Sequence, residues 1–237
     1  MDITDKVAII TGASGGIGLA TAQLFAARGA RVALVARSAE RIQQIATELP
    51  GALAVPTDMR DTAAVQQMIA QVNQLYGRID ILINSAGQGM HVPVAEADLD
   101  AYRAVFELNV VSVLNAMQAV IPIMRAQGGG VIINISSGLS RRIIPGVGPY
   151  ASTKYALNAL TLTARMELAP DNIRVGLMLP GITATDFARN AVRMTMTQTE
   201  RHRTVPADPP EHVAEKILEA VETEAAEVYA DSIRPPA

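Results

Sequence analysis

With 237 residues, 49% of them hydrophobic, the chain has enough apolar mass for one large core, and nothing in its length calls for two domains. A formal charge of −3 gives no basic field for nucleic acid, and the absence of cysteine excludes disulfides, thiolate catalysis and cysteine metal sites while suiting a reducing cytoplasm. The opening MDITDKVAII carries acids rather than a positive-then-apolar secretion signal, and the apolar runs read as strand-sized, short of the ~20 residues that cross a bilayer. A cytoplasmic protein without membrane or nucleic-acid partners is expected.

Taken in chain order, strands are predicted at 6–10 (KVAII), 31–36 (RVALVA), 52–55 (ALAV), 79–84 (IDILIN), 130–136 (GVIINIS), 173–179 (IRVGLML) and 227–230 (EVYA). Helix-length segments lie between them, near 16–28, 39–48, 61–76, 98–127, 150–169 and 211–223, with Pro210 and Glu211 as a start for the last. The strands are apolar nearly throughout, as strands buried on both faces of a parallel sheet are. The alternation predicts a three-layer α/β/α fold around a doubly wound parallel sheet of about seven strands, in one domain spanning 1–237. One stretch, 181–209, has no clear period and is long for a loop, so a substrate lid is expected at about 182–208.

The string TGASGGIG (11–18) follows the first strand and opens the first helix. Gly12 allows a tight turn, Gly16 lets the backbone approach a pyrophosphate, and Gly18 lets helix and strand pack closely; Ser14 and Ile17 belong to the same expected cradle. Free N–H groups and the dipole at the helix start favour phosphate charge there, although a turn without a ligand uses the same residues. The second strand ends VARSAER, where recognition of a free ribose hydroxyl calls for an acid. Neither Ala36 nor Arg37 is acidic, and a guanidinium at 37 matches a 2′-phosphate, which favours NADP(H) over NAD(H); the alternative is an exposed arginine holding nothing.

In GPYASTKYALNAL (148–160), Tyr150 and Lys154 stand four apart and share one face if the stretch is helical. A cation beside the phenol favours its ionised form and makes Tyr150 a usable acid/base, whereas on an ordinary helix the same spacing is a surface pair.

In TGASGGIG (11–18), NSAG (84–87), LNV (108–110), ISSG (135–138), YASTK (150–154) and PGITAT (180–185), in that order, the chain resembles the short-chain dehydrogenase/reductase family, single-domain branch of about 250 residues. Ser85 stands where the family more often has a second asparagine, and Gly15 where some NADP-dependent members carry a basic residue. The resemblance covers nearly the whole sequence and implies a Rossmann-like fold, with Asn109, Ser137, Tyr150 and Lys154 as the catalytic set. Tyr150 would exchange a proton with the carbonyl oxygen and Ser137 would hydrogen-bond that oxygen. Lys154 would lower the phenol's pKa and grip the nicotinamide ribose, and Asn109 would kink its helix and hold a water beside the lysine. Ser136 would be a strand-end or supporting hydroxyl. Asp58 would lie beside the adenine, Asn84, Ala86 and Gly87 along the adenosine ribose, and Pro180, Gly181, Ile182 and Thr183 under the nicotinamide.

Segments 88–97, 138–149 and 182–208 should surround the substrate, offering Met90, Leu139, Ile143, Ile144, Val147, Phe187, Met194 and Met196 with Arg141, Arg142, Arg189, Arg193, Arg201 and Arg203. Methionines suit an adaptable apolar pocket; the arginines would meet a carboxylate, a phosphate or an acidic carrier, or simply face solvent. No histidine has a partner at metal-ligand spacing, so no metal is expected; His91 reads as a solvent-facing or pocket-rim residue, His202 and His212 as surface ones. Three functions follow: an NADP(H)-dependent carbonyl reductase or alcohol dehydrogenase, a 3-oxoacyl-thioester reductase with a basic lid, or a dinucleotide-sensing regulator without catalysis. The family pairs the helices near 98–127 and 150–169 between subunits, which implies a homodimer or homotetramer.

Overall fold

The computed structural model describes residues 1–192 and 207–233. The expected lid is therefore seen only at its two ends; Arg193, Met194, Met196, Arg201, His202 and Arg203 lie outside the described residues. Seven strands, β1 (Val7–Thr11), β2 (Arg31–Ala36), β3 (Leu53–Pro56), β4 (Ile81–Asn84), β5 (Gly130–Ile135), β6 (Ile173–Leu179) and β7 (Glu227–Tyr229), form one parallel sheet in the order β3-β2-β1-β4-β5-β6-β7.

Because successive strand residues point to opposite faces, each strand feeds two cores. Ala8 and Ile10 of β1 join Phe25 of α1 (Gly16–Ala27), Ile42 and Ile45 of α2 (Ala39–Glu48), and Val213 and Ile217 of α7 (Pro210–Thr223). Val7 and Ile9 join the opposite layer, with Val65, Met68 and Ile69 of α3 (Thr62–Tyr76), Ala116, Met117 and Val120 of α5 (Ser112–Ala126), and Leu168 of α6 (Gly148–Leu168). This is the doubly wound Rossmann-type architecture. The strand order reverses between β1 and β4, and the crevice that such a reversal leaves at the carboxyl ends is where open α/β sheets bind ligands.

Local chemistry moves several predicted boundaries. The strand expected from Ile79 begins at Ile81, because Asp80 instead takes the Val7 N–H (2.9 Å) and pairs with Arg78. The helix expected from Tyr150 starts at Gly148, with Pro149 supplying a first-turn residue that needs no N–H partner. The helix expected over 98–127 is α4 (Leu99–Phe106), a π turn at Glu107–Val111 and then α5. Asp98 caps its start by accepting from the Ala101 N–H at 2.8 Å. The continuous run Leu99–Ala126, 28 residues long, is also apolar enough to cross a bilayer, which corrects the reading that every apolar run is strand-sized. Its packing assigns it to the sheet instead, since Val113, Ala116, Met117, Val120 and Met124 are buried in the domain and the π turn holds a buried, hydrogen-bonded asparagine.

Candidate active site

At the carboxyl end of β1, the glycine loop is shaped by contacts that no side chain could share. Gly12 has φ +71°, and a Cβ there would stand 3.0 Å from the Ala86 backbone. A Cβ on Gly18 would stand 2.4 Å from the Gly12 carbonyl oxygen, and one on Gly16, at φ +54°, 3.0 Å from Thr185 Cγ2. The loop thus touches the β4 end on one side and the segment after β6 on the other. Thr11 Oγ1 joins the first contact by accepting from the Ser85 and Ala86 N–H groups at 3.0 Å each. The start of α1 has no side-chain cap and no acid in its first turn; Ser14 and Ile17 are half-buried beside it. Uncapped N–H groups at a helix start are an anion site in waiting.

Arg37, at the end of β2, is exposed, and Asp58 lies nearby beyond β3. Arg60 grips Asp58 through Nε (3.2 Å), Nη2 (2.8 Å) and its backbone N–H (3.0 Å). Its hydrogen bonds, with a smaller contribution from the Arg37 charge, hold the Asp58 carboxyl below its ordinary range. The Asn84 side chain is turned inward rather than along the crevice: it donates to Asn134 (2.8 Å), which donates to Thr161 (2.9 Å). Ala86 and Gly87 remain at the crevice, half-buried.

Three elements meet beyond β5. From α6, Tyr150, Lys154 and Asn158 project from one face at spacings of four, and all three are buried. Lys154 Nζ donates to the Ile135 carbonyl at 2.9 Å and lies 5.9 Å from the centre of the Tyr150 ring. From the π turn, Asn109 accepts from the Gln88 N–H and donates to the Gln88 carbonyl, each at 2.9 Å, and donates to Thr153 at 3.0 Å. A Cβ on Gly87 would stand 3.2 Å from Asn109 Oδ1 and 3.7 Å from Lys154 Nζ, so these residues converge. From the β5 end, Ser137 caps a 3-10 turn, Gly138–Arg141, accepting from the Leu139 N–H at 3.1 Å. Pro180, Gly181, Ile182 and Thr183 run along the far wall, tied to that turn by Gly138 N–H donating to the Pro180 carbonyl (2.9 Å).

The family model described as short chain dehydrogenase matches residues 6–195. A 3alpha-hydroxysteroid dehydrogenase of Mediterraneibacter gnavus is 39% identical over 193 residues, covering 79% of this chain and 77% of its own. The chain belongs to the short-chain dehydrogenase family. Solved members superpose closely. A 3-ketoacyl-(acyl-carrier-protein) reductase from Brucella melitensis, complexed with NADH, has a TM-score of 0.88 at 27% identity, covering 97% of this chain and 98% of its own. A 7alpha-hydroxysteroid dehydrogenase complexed with NADH and 7-oxo glycochenodeoxycholic acid has a TM-score of 0.88 at 28% identity, with 97% and 94% covered.

Within this short-chain dehydrogenase, burial reverses the simplest expectation for the Tyr150–Lys154 pair. Desolvation pushes the Tyr150 hydroxyl up to about 12, against a hydrogen bond with Ser137 that pulls it down. Desolvation also pushes the Lys154 ammonium down to about 8. The ammonium lies 5.9 Å from the ring centre, and the cost of taking each charge out of water sets both shifts.

Other sequence readings change as well. Met90, expected to line the pocket, is fully buried in a small core with Val92, Val105 and Tyr150. Arg141 pairs with Glu227 and Arg189 with Asp186, so neither points an unpaired charge at a ligand. His212 pairs with Asp231 at 3.0 Å. His91 is half-buried with its ring 6.3 Å from that of Tyr150, which also lies 5.9 Å from the Phe187 ring. Ser136 takes the supporting role, donating to Asn158 Oδ1 at 2.5 Å, while Asn158 donates to Ser140 at 2.8 Å. Asn158, Thr153, Arg60 and Thr11 were missed. Only Asn158 had a signal, its place four residues beyond Lys154.

The chain has three lysines, which makes Lys154 directly observable. With lysine Cε labelled by 13C, one resonance is expected to titrate near pH 8 and to vanish in Lys154→Met. Because the folded pKa lies below the ordinary 10.5, Lys154 contributes stability that is full above pH 10.5 and lost as pH falls through about 8. A Lys154 midpoint at the ordinary value would show that its ammonium is not desolvated.

Proposed function

We propose that the protein is an NADP(H)-dependent oxidoreductase that interconverts a ketone or aldehyde and an alcohol, with Tyr150 as general acid/base. The observation that carries this reading is the convergence of Ser137, Tyr150, Lys154 and Asn109 from three separate elements beside the glycine loop. The chain's cradle fits a dinucleotide: Gly12, Ser14, Gly16, Ile17 and Gly18 offer an uncapped helix start to a pyrophosphate, and the loop keeps this shape because a Cβ at Gly12 or Gly16 would run into Ala86 or Thr185. Ala86 and Gly87, with Pro180, Gly181, Ile182 and Thr183, form the walls between which the rest would lie. Arg60 is taken by Asp58, so Arg37 is the guanidinium left to hold a 2′-phosphate, and no carboxylate at 36 or 37 stands to bind a bare ribose hydroxyl. When bound, the nicotinamide supplies hydride transfer with the carbonyl carbon.

The protein's own groups handle the oxygen. Ser137 hydrogen-bonds it, and Tyr150, protonated at neutral pH, gives its proton to it in reduction and takes one back in oxidation. Lys154, anchored on the Ile135 carbonyl, holds the ribose hydroxyls and stabilises the phenolate as it forms; Asn109 holds the helix geometry beside it. Exposed Val94, Ile143, Ile182 and Phe187 give the rim an apolar character that favours an apolar carbonyl compound. A 3-oxoacyl thioester on an acidic carrier is the second choice, weakened by the internal pairing of Arg141 and Arg189. The described ends of 182–208 act as a lid, since Val192 N–H donates to the Gly89 carbonyl at 2.9 Å and Phe187 covers Tyr150. We place the enzyme in the cytoplasm.

NADPH consumption against ketones, aldehydes, diketones and 3-oxoacyl thioesters tests the reading. Native protein should turn over at least one class, and Tyr150→Phe should lose roughly 10²–10⁴-fold in kcat/KM. Equal turnover by Tyr150→Phe would remove the acid/base assignment, and tight NADPH binding without turnover would favour a sensor. Arg37→Ala should weaken NADPH binding ~10-fold or more while leaving NADH nearly unchanged. An equal loss for both would leave Arg37 no part in the choice. Exposed Leu99, Val111, Tyr155 and Met166 on α4 to α6 support a homodimer or homotetramer; light scattering should give a multiple of 25.1 kDa, and the monomer mass would refute it.

A further inference from the structure

Ser137 can serve a carbonyl oxygen only if the turn it caps is held still. That turn, Gly138–Arg141, is gripped at both ends by the last strand and the residues after it. At its far end Arg141 pairs with Glu227, the first residue of β7, 86 positions along the chain. The second oxygen of Glu227 accepts from the Tyr229 hydroxyl. The Arg141 and Glu227 side chains are only 25% and 23% exposed, so solvent screens this pair far less than an open surface pair. At the near end Ile233 packs directly on Gly138, where a Cβ would fall 2.2 Å from Ile233 Cδ1 and force that side chain to move.

Ile233 is itself fixed. It is buried, its N–H donates to the Ala230 carbonyl (2.9 Å), and Ala230 N–H donates to Leu179 at the end of β6 (3.1 Å). From the other side, Asn158 of α6 holds Ser140, whose hydroxyl donates to the Ser137 carbonyl at 2.6 Å. The turn is therefore set between the helix that carries Tyr150 and the edge strand β7. A three-residue edge strand needs only its backbone to finish a sheet, so the half-buried, mutually bonded side chains of Glu227 and Tyr229 call for another role.

We propose that Arg141, Glu227, Tyr229 and Ile233 form a clamp of positioning residues that fixes Ser137 relative to Tyr150. The proposal rests on the oxidoreductase reading above and adds a second set of residues, remote in sequence, on which that reaction depends.

Two measurements test it. In Glu227→Gln, hydrogen exchange of the peptide covering residues 135–141 should speed up, while peptides from β1 and α1 keep their native rates. On whichever carbonyl substrate the native enzyme reduces, Glu227→Gln should lower kcat ~10-fold, within the range that a small misplacement of a reacting group produces. KM and the dissociation constant for NADPH should move less than about two-fold. Introduced into Ser137→Ala, the same change should have almost no further effect on kcat, because a residue acting through Ser137 has nothing left to position. A full ~10-fold loss in that background would overturn the proposal, as would unchanged exchange over 135–141. Tyr229→Phe, a gentler change, carries the same tests if Glu227→Gln does not fold. If the native protein reduces no carbonyl compound, the oxidoreductase reading fails; the exchange measurement then decides by itself whether the clamp holds the turn.

Discussion

The site is organised around a lysine ammonium buried on a single backbone carbonyl. A charge removed from water needs compensation, and Lys154 finds it in the Ile135 oxygen at the end of β5. That one contact ties α6 to the sheet at the carboxyl end of a central strand and brings Tyr150, one turn earlier, to the same place. It also requires space, which Gly87 provides by presenting no side chain to Lys154 or Asn109. Burial of each group shows in the depressed titration of the ammonium and the elevated one of the phenol. Both groups are thereby left responsive to any further charge brought into the crevice.

The surrounding polar groups form nearly continuous buried networks. Asn109 spends its amide on Gln88 and Thr153, and so stabilises the wide turn between α4 and α5. Ser136, Asn158 and Ser140 interlock behind Ser137. Asn84, Asn134 and Thr161 connect β4, β5 and α6 within the core, with Asn84 Oδ1 left without a partner. Hydrogen-bonded networks of this kind rigidify what they join, and each ends on the helix carrying Tyr150 and Lys154. The sheet, in contrast, is held by apolar packing on both faces, dominated by Val, Ile, Leu and Ala.

Much of this was legible in the amino-acid order. Both-face burial makes parallel strands read as unbroken apolar runs, so all seven were found, with ends displaced by at most two residues, as where Asp80 intervened before β4. The glycine pattern was readable because a backbone needing φ near +70°, or a Cβ-free approach, admits few other residues. The π turn could not be located from periodicity, since one widened turn barely shifts a 28-residue apolar pattern. The pairing of Arg141 and the burial of Met90 were unreadable for a related reason. A side chain's partner is decided by what lies across the fold, and nothing local marks Glu227 as the answer to Arg141.

What the sequence determined by itself was therefore the periodic and the local: strand–helix alternation, the turn that only glycine permits, and the four-residue spacing that puts Tyr150 and Lys154 on one face. Tertiary structure decided the electrostatics and the pairings. Whether a neighbouring cation lowers a phenol's pKa depends on how much water surrounds both, and that is a property of packing rather than of spacing. Here burial won. Likewise, only the folded chain brings Ile233 against Gly138 and Glu227 against Arg141, because contacts across roughly a hundred residues are set by sheet order and not by any local preference.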